Sequence, residues 1–150
     1  MRGLITAALL ALLWAPATSA NWFEPKPAQS DLPSVDEALV LQPAILENGV
    51  LTLSWDIAEG CYLYRDRLAV EAEGDANTAL GAPQWPDGEW VEDAHFGKVE
   101  VYRQRLHLHI RVNQTAPDWV RVRYQGCAED RVCYPPQERL VEVINLSATP

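Results

Sequence analysis

Three segments of this 150-residue chain alternate apolar and polar side chains with a period of two, which commits each to a half-buried β-strand rather than a helix. Leu51, Leu53, Trp55 and Ile57 interleave with Thr52, Ser54 and Asp56. Leu106, Leu108, Ile110 and Val112 interleave with His107, His109 and Arg111, and Val120, Val122 and Tyr124 with Arg121 and Arg123. Leu140 to Leu146 supplies a further strand, and Glu59-Gly60 turns the chain into another that begins at Cys61. Turn-forming clusters separate them: Gly74-Asp75-Ala76-Asn77, Gly81-Ala82-Pro83, Trp85-Pro86-Asp87-Gly88 and the stretch from Asn113 to Asp118. The helical signal is a single turn from Ser34 to Leu39, with Ser34 as cap and Glu37 three residues on. Many short strands, frequent turns and no long helical period predict an all-β chain folded as an antiparallel β-sandwich of immunoglobulin-like type.

The first residues read as a leader. Arg2 precedes an apolar run from Leu4 to Trp14, and Ala17-Thr18-Ser19-Ala20 follows, the layout of a signal peptide over 1–20 cleaved after Ala20. The run falls short of the ~20 residues that span a bilayer, which argues against an uncleaved anchor. Residues 21–34 carry Pro25, Pro27 and Pro33 and read as an extended arm. In this division 21–49 leads into a β-sandwich domain over 50–150. The formal net charge is −9, and −10 once Arg2 leaves with the leader. So acidic a chain is a poor partner for nucleic acid or an anionic membrane.

An exported chain can form disulfides, and Cys127 and Cys133 flank a five-residue excursion between two predicted strands. Facing residues of paired strands sit about 4.5–5.5 Å apart at Cα, within reach of a disulfide. As a staple, so short a loop contributes about 2 kcal/mol. C-x5-C is not the C-x-x-C of thioredoxins, so spacing leaves a structural staple and a redox centre both open. A stapled, non-catalytic binding sandwich is the alternative reading. Cys61, the third cysteine, lies in an apolar strand and reads as a buried, inert thiol. His107 and His109 share a strand face and, with Cys61, would suggest copper or zinc. Two histidines supply half a site, and the face reads as solvated.

The residues around the pair are more specific. Tyr124-Gln125-Gly126-Cys127 followed by Cys133-Tyr134-Pro135-Pro136 resembles the active-site hairpin of the amino-terminal periplasmic domains of DsbD-type thiol:disulfide interchange proteins. Ser54-Trp55 and Gly60-Cys61-Tyr62-Leu63-Tyr64-Arg65 are similar to that family's tryptophan strand and tyrosine-bearing strand. Glu92-Asp93-Ala94-His95-Phe96-Gly97-Lys98, then Glu100, Tyr102 and Arg103-Gln104-Arg105-Leu106, resembles its cap loop and next strand. Leu32-Pro33-Ser34-Val35-Asp36-Glu37-Ala38 is similar to its leading segment.

The resemblance implies a component of a protein-disulfide reductase system, a periplasmic shuttle that needs no metal or organic cofactor. Electrons would come from a thioredoxin-like partner, with a separate membrane reductase behind it. They would pass to periplasmic thioredoxin-fold proteins such as a disulfide isomerase or a cytochrome c maturation factor. By position, Cys133 would be the attacking cysteine and Cys127 the resolving one. Tyr62, Tyr64 and Asp93 would lie beside the pair with Tyr134, and an aromatic lid would cover it. The family's lid position aligns with His95, and Phe96 follows, so either ring is a candidate. Ala94 stands where the family has an acidic residue. Glu129 and Asp130 read as charges that solvate the hairpin tip.

Overall fold

The alternating segments form the strands they predict. The computed structural model describes residues 32–74, 79–113 and 115–147, so the predicted leader and the arm up to residue 31 lie outside the described residues. In chain order the elements are α1 (Val35–Ala38), β1 (Leu39–Leu41), β2 (Ala44–Glu47), β3 (Val50–Ile57) and β4 (Cys61–Tyr64). A 3-10 turn at Arg65–Arg67 leads to β5 (Ala69–Glu73), β6 (Leu80–Gln84), β7 (Glu89–Asp93), β8 (Gly97–Tyr102) and β9 (Arg105–Val112). The chain ends with β10 (Trp119–Tyr124), β11 (Gly126–Ala128), β12 (Val132–Cys133) and β13 (Gln137–Asn145).

These strands make two sheets. The larger runs β5-β10-β13-β2-β3-β9-β6, with β1 pairing beside β3, and the smaller runs β12-β11-β4-β8-β7. The fold is the all-β sandwich expected, with one addition. The ladder between β2 and β13 is parallel, Val143 facing Ala44. Alternation tells which face is inward: Leu51, Leu53, Trp55 and Ile57 of β3 are buried while the residues between them are only half-buried. They meet Leu106, Leu108 and Ile110 of β9 and Val120, Val122 and Tyr124 of β10 in one core. Trp55 packs edge-on to Tyr124, ring centroids 5.9 Å apart. Each such side chain contributes roughly 1.5–3 kcal/mol on full burial.

The domain boundary expected at residue 50 moves towards the N-terminus. The capping box forms, with the Ser34 amide and hydroxyl both donating to Glu37 (2.8 and 2.7 Å), and α1 leads directly into β1. Leu39, Ala44 and Leu46 are buried in the core, so β1 and β2 belong to the sandwich rather than to an arm. Gln42-Pro43 breaks the run between them, and each half then pairs with a different end of β3. Gly81-Ala82-Pro83, read as a turn, lies in the edge strand β6 instead. Its register against β9 slips between Leu80 and Pro83, the irregularity an edge proline brings.

The smaller sheet has two buried faces. Along β4, Cys61 and Leu63 point into the core, while Tyr62 and Tyr64 point to the opposite face. There they form a second cluster with Val101 and Cys127, flanked by Val91, Val99 and Cys133. The cysteine pair thus lies on the outer face of the smaller sheet.

Candidate active site

Strands β11 and β12 face each other as an antiparallel pair with Cys127 opposite Cys133. A disulfide joins them, the Cα atoms 4.0 Å apart, slightly inside the separation expected for facing residues. Asp130 makes the turn between them in the left-handed region (φ 56°), which Asp tolerates better than most residues. Cys127 is 1% exposed, whereas Cys133, on the edge strand, is half-buried. Beyond it the Tyr134 amide donates to the Gly126 carbonyl (3.0 Å), and the Tyr134 hydroxyl to the Pro33 carbonyl (2.8 Å). Gly126 is a glycine for want of space: a Cβ there would meet the Tyr62 carbonyl oxygen at 2.1 Å.

Tyr64 carries its hydroxyl to the sulfurs, 3.0 Å from Cys127 Sγ and 3.7 Å from Cys133 Sγ. Its proton goes to Asp93 Oδ2 at 2.6 Å, and the Tyr62 hydroxyl donates to the same oxygen at 2.8 Å. The other oxygen of Asp93 accepts the His95 and Phe96 amides at 2.7 and 3.0 Å, closing the cap turn that Gly97 (φ 69°) completes. Asp93 is 8% exposed. Burial opposes its charge, but the two phenols and two amides outweigh burial and hold its pKa at about 2. Burial pushes the Tyr64 phenol well up, and its hydrogen bond to Asp93 pushes it further, so it stays neutral. Tyr62 is raised as well, chiefly by burial.

The two lid candidates part company here. The Phe96 ring stands edge-on against Tyr64 at 5.3 Å, under the Arg67 guanidinium at 4.5 Å, and is 41% exposed. His95 instead lines a cleft of about 370 Å³ together with Tyr62, Asp93, Cys127 and Cys133. Tyr134 lies on the core side, anchoring the strand that bears Cys133 rather than lining that cleft.

The sequence marks Arg103 and Glu129 separately but gives no sign that they pair. Arg103 places its guanidinium 5.1 Å from the Tyr62 ring centroid, and donates to both oxygens of Glu129 (3.1 and 2.8 Å) and to Glu89 (3.1 Å). Glu129 therefore does more than solvate the hairpin tip. Cys61 is buried with its thiol raised by burial, on the core face. His107 and His109 are exposed and bonded to Ser54 and Thr52 (2.8 and 3.1 Å), so the Cys61–histidine trio does not assemble. Among the described residues no cluster of three or more His, Cys, Asp or Glu could hold a metal ion.

Comparison with known proteins places the chain in a family. The family described as "Thiol:disulfide interchange protein DsbD, N-terminal" matches residues 29–145. The chain is 36% identical over 141 residues to the DsbD of Salmonella typhimurium, covering 93% of this chain and 24% of that one. It is 35% identical over 146 residues to the DsbD of Escherichia coli, covering 95% and 25%. It thus spans about a quarter of the length of these curated relatives. Among solved structures it is similar to the reduced DsbD N-terminal domain of Neisseria meningitidis (TM-score 0.66, 29% identity, 75% of this chain and 89% of that one). It is also similar to that organism's DsbD N-terminal domain in complex with the PilB N-terminal domain (TM-score 0.62, 26% identity, 75% and 87%). The hairpin, the paired tyrosines and the capped carboxylate are thus found in a chain that belongs to the DsbD N-terminal domain family.

Proposed function

We propose that this domain is a periplasmic thiol–disulfide exchange module that passes two electrons per cycle through Cys127 and Cys133. The observation that carries the reading is the asymmetry of the pair: Cys127 is buried against Tyr64, and Cys133 is half-buried on an edge strand. A donor thiolate attacks Sγ of Cys133, the S–S bond breaks, and Cys127 leaves as a thiolate that takes a proton. The donor's second thiolate then attacks the donor sulfur of the mixed disulfide, so Cys133 is released and the donor is oxidised. In the forward transfer the Cys133 thiolate attacks an acceptor disulfide. Cys127 loses its proton and attacks Sγ of Cys133, which re-forms the internal disulfide and leaves the acceptor as a dithiol.

Tyr64 supports both halves. Its proton is committed to Asp93, so its oxygen lone pairs are available to accept the S–H of reduced Cys127. The partners are thioredoxin-fold proteins, a donor served by a membrane reductase and acceptors such as a disulfide isomerase or cytochrome c maturation factor. A relative's DsbD N-terminal domain forms a complex with a PilB N-terminal domain, which supports docking of a second protein domain on this fold. No cofactor beyond the disulfide enters this chemistry.

The test is the reduction potential of the pair in thiol buffers, read by alkylation and mass. A value of about −180 to −270 mV is expected, and one below about −300 mV marks a structural staple and ends the proposal. Roles are checked by trapping: Cys127→Ser accumulates a mixed disulfide with a thioredoxin-fold partner, and Cys133→Ser does not.

A further inference from the structure

We propose that Arg103 is a positioning residue for exchange: its forked ion pair with Glu129 holds the loop between the two cysteines and keeps the thiols adjacent once the disulfide has opened. This rests on the exchange reading above.

Cys133 is held mainly through its neighbours in sequence. Its strand, β12, is two residues long and lies at the sheet edge, paired with β11 alone among the described residues. On the C-terminal side the chain is pinned by the Tyr134 amide on Gly126 and the Gln125 side-chain amide on the Tyr134 carbonyl, both 3.0 Å, and by the Tyr134 hydroxyl on the Pro33 carbonyl (2.8 Å). On the N-terminal side lies the turn carrying Glu129 and Asp130. Its tethers include the Glu129 amide on the Gly60 carbonyl (2.8 Å), the Arg131 amide on the Ala128 carbonyl (3.1 Å) and the Arg103 fork on the Glu129 carboxylate (3.1 and 2.8 Å). Arg103 is itself seated, with Glu89 at 3.1 Å and the Tyr62 ring beneath it. It therefore links the loop to the tyrosine that shares Asp93 with Tyr64.

While the disulfide is closed, the S–S bond sets the loop and the ion pair is redundant. In the dithiol and in the mixed disulfide that covalent closure is gone. The closing step needs Cys127 Sγ near Cys133 Sγ: the Cys127–Cys133 bond forms, the bond from Cys133 to the partner breaks, and the partner sulfur departs with the electron pair. A looser loop lowers the effective concentration of one thiol at the other, disfavours the internal disulfide and makes the reduction potential less negative. A forked ion pair of this exposure supports about a fivefold change. At 29.6 mV per tenfold that is about 20 mV.

Potentials of the wild type, Arg103→Met, Arg103→Lys and Glu129→Gln, measured side by side in glutathione buffers, test this. Arg103→Met and Glu129→Gln are both expected to raise the potential by about 20 mV. Arg103→Lys falls between, because an ammonium group cannot reproduce the fork. Glu129→Gln breaks the fork from its other side at an exposed residue and does not threaten the fold. Because the two variants remove charges of opposite sign, a charge effect on the thiolates would shift them in opposite directions, whereas loss of the tether shifts both upward. Opposite shifts in Arg103→Met and Glu129→Gln, or a shift in Arg103→Met alone, overturn the proposal. So does agreement of both variants with the wild type to within about 5 mV, less than a 1.5-fold change. A wild-type value below about −300 mV instead ends the exchange reading itself, and this inference with it.

Discussion

Replacing Asp93 by Asn keeps the shape of the side chain and removes the charge on which four donors converge. In the wild type burial opposes that charge, yet the donors lower the carboxyl from 3.8 to about 2. At 1.36 kcal/mol per pH unit the difference is about 2 kcal/mol, and solvent in the adjoining cleft trims it to about 1–2 kcal/mol. Because the folded value lies below the unfolded one, this stability is fully present above pH 3.8 and is lost as pH falls through about 2. The amide of the Asp93→Asn side chain would still accept the two cap-turn N–H groups through its oxygen, but its NH₂ group repels the two phenol protons. Urea unfolding of both proteins, followed by tryptophan fluorescence from pH 7 to pH 2, is the assay. Asp93→Asn is expected to be about 1–2 kcal/mol less stable at pH 7, and the gap should close between pH 4 and pH 2. A deficit under about 0.5 kcal/mol at pH 7, or one that persists unchanged at pH 2, would refute the idea that charge at Asp93 organises the site.

Gly126→Ala should cost about 3 kcal/mol in the same unfolding assay, since its Cβ would press on the Tyr62 backbone with no flexible side chain to yield. Phe96→Ala uncovers Tyr64 and should speed reduction of the disulfide by dithiothreitol without changing its equilibrium potential; an unchanged rate would assign no shielding to this ring. Cys61→Ala should cost about 1 kcal/mol from lost packing and leave exchange kinetics intact, because the thiol lies on the opposite face of the sheet.

The strands most legible in the sequence are those with one face in the core and the other near solvent. β3, β9 and β10 announce themselves because water enforces polarity at every second position. β4, expected from the Glu59-Gly60 turn before it, shows no such polarity: all four of its residues are buried, and its alternation runs between two buried clusters. β1 and β2 are three and four residues long with Pro43 just before β2, too short for a period to establish itself. At the site, the cysteines, tyrosines, Asp93 and cap loop are visible as a resemblance over contiguous motifs. Arg103 and Glu129 meet across 26 positions of sequence, and an ion pair formed by tertiary folding leaves no local trace. Glu129 therefore reads as a loop charge until Arg103 is seen beside it.

The division of β4 between two clusters bears on how such a domain can change. Residues of one parity, Tyr62 and Tyr64, face the sulfurs, while their neighbours Cys61 and Leu63 build the core. Substitutions can retune the reactive surface at one set of positions while the fold's support, one residue away in sequence, stays untouched. A single-residue insertion or deletion within the strand would exchange the two sets at once, placing phenols in the core and a core thiol beside the disulfide. Point substitution is thus open to this strand as a route of variation, and length change is closed.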